Sequence, residues 1–332
     1  MNRANIGKYQ QTAVEIGRVL VGVVFVFSGF VKAVDPWGTA YKFHDYFAVW
    51  NLTFLDVLAL PASLGLSAVE FTLGACLLAG VYRKIVSGGV FLFMCFMTIL
   101  TLYLMIFNPV TDCGCFGDAL VITNAQTFWK NVVLLAASGL VFRGHRRMTP
   151  LYSGKYRLRA AAWAFVFIMS VSVYAFRYLP PLDFRPYRIG NNIPEQMQIP
   201  EGAAADVYET TLIYEKDGIR QKFTIENYPK EGSGWTFVET LSQLVKKGYE
   251  PPIHGFSITT AAGDDITDEV LTDSGYTFLL VAHKLENADD SNAGNINAVY
   301  DYAVENRYRF LCLTASLPGP IAEWKDNTGA EY

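Results

Sequence analysis

Five apolar stretches, each close to the roughly 20 residues a helix needs to cross a bilayer, fill most of the first 180 positions of this chain. They run approximately over residues 13–34, 58–81, 85–107, 128–142 with its flanks, and 160–178. The fourth is the shortest and leans on its flanking residues. The first is not a removable leader: no small-residue cleavage site follows it, and Lys32 and Asp35 come instead. In hydrocarbon a backbone must satisfy its own hydrogen bonds, so such segments are helices. The expected fold is an α-helical membrane bundle, a four-helix core plus a fifth span, followed by an α/β soluble domain.

Charge divides the chain the same way. Residues 179–332 hold 12 Lys/Arg and 24 Asp/Glu, a net charge of −12, while residues 1–178 hold 15 basic and 7 acidic groups, a net charge of +8. This reads as a membrane half joined to an acidic, water-soluble half. The basic residues flank the apolar stretches, and nothing resembles a nucleic-acid surface. Arg3 and Lys8 precede the first span, Arg83 and Lys84 join the second to the third, and six Lys/Arg lie between Arg143 and Arg159. Residues 108–128 have none. By the positive-inside rule, the amino terminus and these two basic loops are cytoplasmic. The 108–128 loop and everything after the fifth span are then extracytoplasmic, in the cytoplasmic (inner) membrane of a cell envelope.

That uncharged-by-base loop contains Thr111-Asp112-Cys113-Gly114-Cys115-Phe116-Gly117-Asp118. A disulfide needs Cα atoms about 4.4–6.8 Å apart, which residues i and i+2 reach only if the chain bends between them. Gly114 supplies that bend, including a positive φ. A bridge in so small a ring is readily reduced. Asp112 and Asp118 would raise the thiol pKa values unless a cation such as Lys130 offsets them. A plain tight turn, or half of a metal site, fits the same residues. Metal is the weakest of the three, since a closed zinc site wants four ligands and no His or further Cys is near in sequence. Outside the cytoplasm a disulfide can form and persist.

Residues 35–56 carry Trp37, Tyr41, Phe43, Tyr46, Phe47 and Trp50. They suit an interfacial amphipathic helix, read either as an ordinary aromatic belt or as a cover over the cysteine loop with His44 as proton acceptor. Lys32 is an intramembrane polar residue near the end of the first span. Two further ionisable groups, Arg18 and Glu70, fall inside spans, where charge is expensive and normally finds a partner or a polar cavity. They are expected to form a structural pair, or to mark a polar site for a proton or a quinone. Cys76 and Cys95 also lie in spans, where small buried cysteine is the default.

Arg18, then Phe27-Ser28-Gly29-Phe30-Val31-Lys32-Ala33-Val34-Asp35-Pro36-Trp37-Gly38, then Glu70 and Asp112-Cys113-Gly114-Cys115-Phe116-Gly117 together resemble the DoxX/MauE-type membrane family over roughly residues 10–145. The resemblance implies a four-helix membrane bundle. Its methylamine-utilisation branch is associated with disulfide formation in, or maturation of, an exported dehydrogenase. By that resemblance Cys113 and Cys115 are the redox pair. This chain departs from the family by a fifth span and a large outer domain.

After Pro180-Pro181 the patterns change. Residues 206–214 and 221–226 are β-type runs around a Lys216-Asp217-Gly218 turn. Residues 256–259 and 266–267 flank Gly263-Asp264-Asp265, residues 277–282 read as a buried strand, 295–306 as a helix, 308–314 as a second buried strand, and Glu323-Trp324 as part of a further helix. This order is similar to a thioredoxin-like fold of the exported peroxiredoxin/TlpA type. It lacks the active-site cysteines: His283-Lys284-Leu285-Glu286-Asn287 follows the first buried strand, and the lone Cys312 reads as core. Tyr332 arrives before the closing strands of such a fold, which is expected to be incomplete or to need a membrane-protein partner.

The domain reading is therefore a DoxX/MauE-like membrane domain over 1–150, a cytoplasmic loop and fifth span over 151–180, a β-rich linker region over 181–250 and a thioredoxin-like domain over 251–332. The functional expectation is a membrane thiol–disulfide component that exchanges disulfides with an exported protein or carrier thiols. Electrons would pass to a lipid-soluble acceptor, with a quinone as the candidate and no metal expected. The alternative is a non-enzymatic scaffold or maturation factor, with Cys113–Cys115 as a staple.

Overall fold

The computed structural model describes residues 3–110, 112–151, 154–205, 207–216, 218–224, 227–230, 233–246 and 248–332. Thr111, Asp206, Asp217 and Glu226, which belong to the segments read above, lie outside the described residues. The chain divides into two compact units, Met1–Ile189 and Gly190–Tyr332.

The first unit is helical: α1 (Arg3–Val34), α2 (Pro36–Val49), α3 (Ala59–Ala79), α4 (Arg83–Phe107), α5 (Asn124–Arg143) and α6 (Arg157–Arg177). Helix α1 packs on α3 and α5, α4 on α5, and α6 on α3. The α1–α3 approach is close because both helices offer glycine: a Cβ at Gly29 would stand 2.4 Å from the Phe71 backbone nitrogen, and one at Gly74 2.7 Å from that of Val26. Small residues let helix backbones meet in this way where no hydrophobic force separates helix from lipid. Asp35 ends α1 and caps α2, its carboxylate accepting from the Gly38 N–H, with Pro36 at the first helical position. The chain therefore turns sharply from a spanning helix into a short covering one.

Among the described residues, four helical segments are long and apolar enough to cross a membrane: Lys8–Val34, Thr53–Ala79, Arg83–Phe107 and Arg157–Arg177. The fourth of the five expected spans is not among them, although α5 is a full 20-residue helix. The reason is where its polar residues sit. Asn124, Thr127, Asn131 and Ser138 recur at helical spacing and are buried, with Asn131 donating to the Thr101 hydroxyl of α4 at 3.2 Å. Trp129, Val133 and Leu140 face outward. Helix α5 is polar within and apolar without, so its average hydropathy understates its lipid-facing side.

The second unit is a small α/β region. After the short helix α7 (Ile193–Met197), strands β1 (Val207–Lys216), β2 (Ile219–Thr224) and β3 (Thr236–Lys246) form an antiparallel sheet in the order β2-β1-β3. The expected hairpin is present, with Leu212 opposite Phe223; β3 was not anticipated. Further on come α8 (Thr267–Leu271), β4 (Thr277–Val281), α9 (Ala293–Glu305), β5 (Arg309–Leu313) and α10 (Pro318–Thr328). Strands β4 and β5 pair in parallel, Leu279 beside Leu311, with α9 between them in sequence, as the two apolar runs led one to expect. The hairpin expected around Gly263 shrinks to one bridge, Thr259 with Asp265. Among the described residues this second sheet has two strands, too few to tell a thioredoxin-like arrangement from other folds that contain a βαβ unit. Cys312 on β5 is half-buried rather than fully enclosed.

Candidate functional site

The loop between α4 and α5 folds inward. Gly114 adopts φ +67° and Gly117 φ +50°, and the Gly117 N–H bonds to the Gly114 carbonyl at 3.2 Å. The Asp112 carboxylate accepts from the Gly114 N–H at 2.8 Å, the short local bond that aspartate makes in turns. This tight bend brings Cys113 Sγ and Cys115 Sγ to 2.7 Å from each other. Both cysteines are buried, each 8% exposed.

Two side chains of α1 hold the main chain at Cys115, and Glu70 of α3 holds both of them. Lys32 Nζ donates to the Cys115 carbonyl at 2.7 Å, to Glu70 Oε2 at 2.9 Å and to Ser28 Oγ at 2.7 Å. All three ammonium protons are thereby used. Ser28 Oγ in turn lies 2.7 Å from both Glu70 Oε2 and the Cys115 carbonyl. The Lys32 and Glu70 side chains are each 4% exposed, so this is a buried ion pair that answers its own desolvation with hydrogen bonds. The expected Arg18–Glu70 pair does not form. Arg18 lies 14 residues, about 21 Å of helix, before Lys32; it pairs with Glu15 at 2.8 Å and donates to the Thr149 carbonyl at 2.7 Å. Lys32, not Arg18, is level with Glu70.

Helix α2 lies over the other side of the loop. Lys42 Nζ meets Asp112 Oδ2 at 2.7 Å, and Tyr46 donates its hydroxyl proton to the Cys113 carbonyl at 3.1 Å. A Cβ on Gly114 would stand 2.9 Å from Lys42 Cγ, so the cover is seated directly on the turn. His44 is on the same helix but pairs with Asp56 at 3.0 Å. Asp118, at the end of the loop, has its carboxyl raised above the ordinary range by burial and then by Asp35. Lys130 on α5 stands over the Phe116 ring, 4.1 Å from its centre.

The two thiols are unequal. Cys115 is lowered to about 7, first because the Cys113 thiol donates to its sulfur, and further by the Lys130 and Lys32 charges, against burial. Cys113 is raised well above the ordinary thiol range, as the donor of that bond and by burial. The pair thus loses its first proton from Cys115.

Two spaces adjoin the pair. One, of about 30 Å³, lies between Ser28, Glu70, Cys115, Lys130 and Asn131, enough for a water molecule. The other, of about 190 Å³, is bounded by α2, α4 and both cysteines. Among the described residues no group of three or more His, Cys, Asp or Glu is placed to hold a metal ion.

The sequence reading singled out Cys113, Gly114, Cys115, Asp112, Lys32, Glu70 and Lys130, and the structure brings these together. It places Arg18 near the middle of α1, about four turns before Lys32, and His44 against Asp56. Ser28, Lys42 and Tyr46 were not singled out for the site. The spacing of Ser28 and Lys32, one turn apart on a helix face, was the available signal for the first. For the other two, Lys42 and Tyr46 are likewise one turn apart on α2.

Residues 10–144 match the family described as methylamine utilisation protein MauE. The match takes in α1 to α5 and the whole cysteine site, and together with the apolar helices it makes this a multi-pass membrane protein. It bears on the MauE side of the resemblance only; nothing in it extends to DoxX or to a thioredoxin-like fusion. Residues 208–247, the three-stranded sheet, match a domain of unknown function, DUF8463. Comparison with curated proteins and with solved structures gave no match.

Proposed function

We propose that this protein is a membrane thiol–disulfide exchange component serving the maturation of an exported protein, with Cys113 and Cys115 as its working pair. The observation that carries the reading is the pair itself: two sulfurs 2.7 Å apart on a glycine-centred turn, with Cys115 lowered to about 7 by the Cys113 thiol beside it. In the dithiol form the Cys115 thiolate attacks one sulfur of a partner disulfide and expels the other as a thiolate. Cys113 then gives up its proton and attacks Cys115 Sγ, closing the Cys113–Cys115 bridge and releasing the partner's second thiol. Run backwards, the same steps install a disulfide in the partner, the direction that maturation of an exported dehydrogenase of methylamine utilisation would require. Lys32 and Ser28 are positioning residues, since they hold the Cys115 carbonyl rather than its sulfur, and Glu70 positions them in turn.

The site belongs on the extracytoplasmic face, by the absence of Lys/Arg from residues 108–128. Counting α5 as a crossing gives five, which places the second unit on the same side as the cysteines. There a thioredoxin-like domain without active-site cysteines would present the partner. Reporter fusions after Met148 and after Phe184 should report opposite sides; the same side for both would refute the five-crossing topology.

The burial of both sulfurs favours one competing reading, a structural staple in a scaffold. Cysteine variants separate the two. With Cys113→Ser, Cys115 should accumulate a mixed disulfide with an envelope protein that reducing agent removes, and with Cys115→Ser it should not. Parent-like behaviour of both variants, with no adduct in either, leaves the staple.

A further inference from the structure

The 190 Å³ cavity has no role in exchange with a protein partner. It is bounded on one side by the α2 aromatics Phe43, Phe47 and Trp50 and on the other by Phe96, Met97 and Leu100 of α4. Its inner wall is Cys113, Gly114 and Cys115. Phe96 and Trp50, at 64% and 40% exposure, open outward on the apolar surface of the bundle. The cavity is larger than the roughly 150 Å³ apolar hole known to accept a benzene ring. The buried residues Thr39 and Lys32 also line it.

We infer that this cavity receives the ring of a lipid-soluble quinone, which takes the electrons of the Cys113/Cys115 dithiol. The inference rests on the exchange function proposed above and supplies its missing half. An occupant must be apolar and reach the site from the bilayer, because the walls are aromatic and the mouth lies on α4's lipid-facing side. It must be flat enough to enter between aromatic side chains. It must also accept two electrons, because its inner neighbour is a dithiol. A quinone meets all three; a lipid tail meets the first alone.

The step balances as follows. The Cys113 S–H bond breaks and an S–S bond forms between Cys113 and Cys115. Two electrons pass to the ring, whose two carbonyl oxygens become hydroxyls. One of the two protons needed comes from Cys113 and one from solvent, since Cys115 is already a thiolate. The quinone is reduced to quinol and leaves to the bilayer, and the oxidised pair is ready to receive electrons from exported thiols.

The test uses the full chain in lipid nanodiscs, carrying Cys76→Ala, Cys95→Ala and Cys312→Ala so that only the pair is read. After reduction and removal of reductant, it is mixed with decylubiquinone or, separately, with cystamine, a small water-soluble disulfide. Thiol loss is followed by maleimide mass shift and quinol by ultraviolet absorbance. Decylubiquinone should close the Cys113–Cys115 bridge with one quinol formed per bridge. In Leu100→Trp, which fills the cavity, the ratio of quinone to cystamine rates should fall about tenfold, the loss expected from overpacking a site of this size. An unchanged ratio would show that the quinone reacts elsewhere and would overturn the inference. Oxidation by cystamine but not by quinone would overturn it too, while leaving the exchange reading intact. If neither oxidant closes the bridge, the exchange reading itself fails. Because the parent protein alone decides the last two outcomes, the test survives a Leu100→Trp variant that does not fold.

Discussion

Two basic side chains of helix α1, Arg18 near its middle and Lys32 near its end, do the same thing at different heights. Arg18 pairs with Glu15 and donates to the Thr149 carbonyl; Lys32 pairs with Glu70 and donates to the Cys115 carbonyl. Each ties a loop to the bundle through a backbone oxygen. The environments differ. Arg18 and Glu15 side chains are 11% and 24% exposed, against 4% for both partners of the other pair. An ion pair within reach of water contributes little, whereas breaking a dry one leaves a charge with no answer. The basic loop is thus fastened lightly and the cysteine loop tightly, although a list of contacts would score them alike.

The largest effect should come from Glu70→Gln. It leaves the Lys32 ammonium buried without its counter-charge, at a cost of about 3–5 kcal/mol, seen as a lower unfolding temperature in detergent. Combining it with Lys32→Met should recover much of the loss, because an apolar pair has no charge to desolvate. A Glu70→Gln protein as stable as the parent would erase the contrast between the two pairs.

Titration comes next. In the background lacking the other three cysteines, alkylation of the pair should rise with pH through about 7, where Cys115 ionises, and level off above that. The sign follows from the lowered pKa: the reactive thiolate is present above it and lost below it. An ordinary thiol, at about 8.5, would still be climbing at pH 8. A rate that climbs without a plateau to pH 9 would show that the Cys113 hydrogen bond and the lysine charges together do not lower the Cys115 thiol.

Lys42→Ala should act on the cover alone. Loss of the Asp112 pair at a half-buried site changes stability by only about 1 kcal/mol. Since local opening governs access to a buried thiol, alkylation at fixed pH should still quicken by about three- to tenfold. Tyr46→Phe should do the same more weakly, removing one hydrogen bond of about 1 kcal/mol. Smallest of all, Glu15→Gln should cost about 0–1 kcal/mol and leave the alkylation rate of the cysteine loop unaltered. A change there would mean that the two pairs on α1 are coupled.

Much of this was legible in the sequence, and the failures share a cause. Apolar run length located α1, α3, α4 and α6, and the Cys-Gly-Cys turn announced itself through residue type. Run length alone did not settle α5, whose buried face carries Asn124, Thr127, Asn131 and Ser138: in a membrane bundle the polar stripe points in, and averaging around the helix hides it. The Arg18–Glu70 assignment failed for a related reason. Two charges in neighbouring spans suggested each other, but Lys32, which looked like a helix-end residue, stands at the right height. Strand β3 was missed because residues 236–246 mix Glu, Ser, Gln and Lys among the apolar residues, and its pairing with β1 lies some 30 residues away in sequence, where local pattern is silent.

Lys32 and Ser28 grip the oxygen of a peptide group, and that oxygen is the same whether the neighbouring sulfurs are joined or apart. The fastening at Cys115 is therefore blind to oxidation state, as is the Tyr46 hold on the Cys113 carbonyl. The two differ in that the first comes from the spanning helix α1 and the second from the short covering helix α2. If the pair exchanges disulfides as proposed, the Cys115 side of the turn would be the fixed fulcrum and the Cys113 side the arm. A partner would then meet a lever whose pivot is anchored in the bundle.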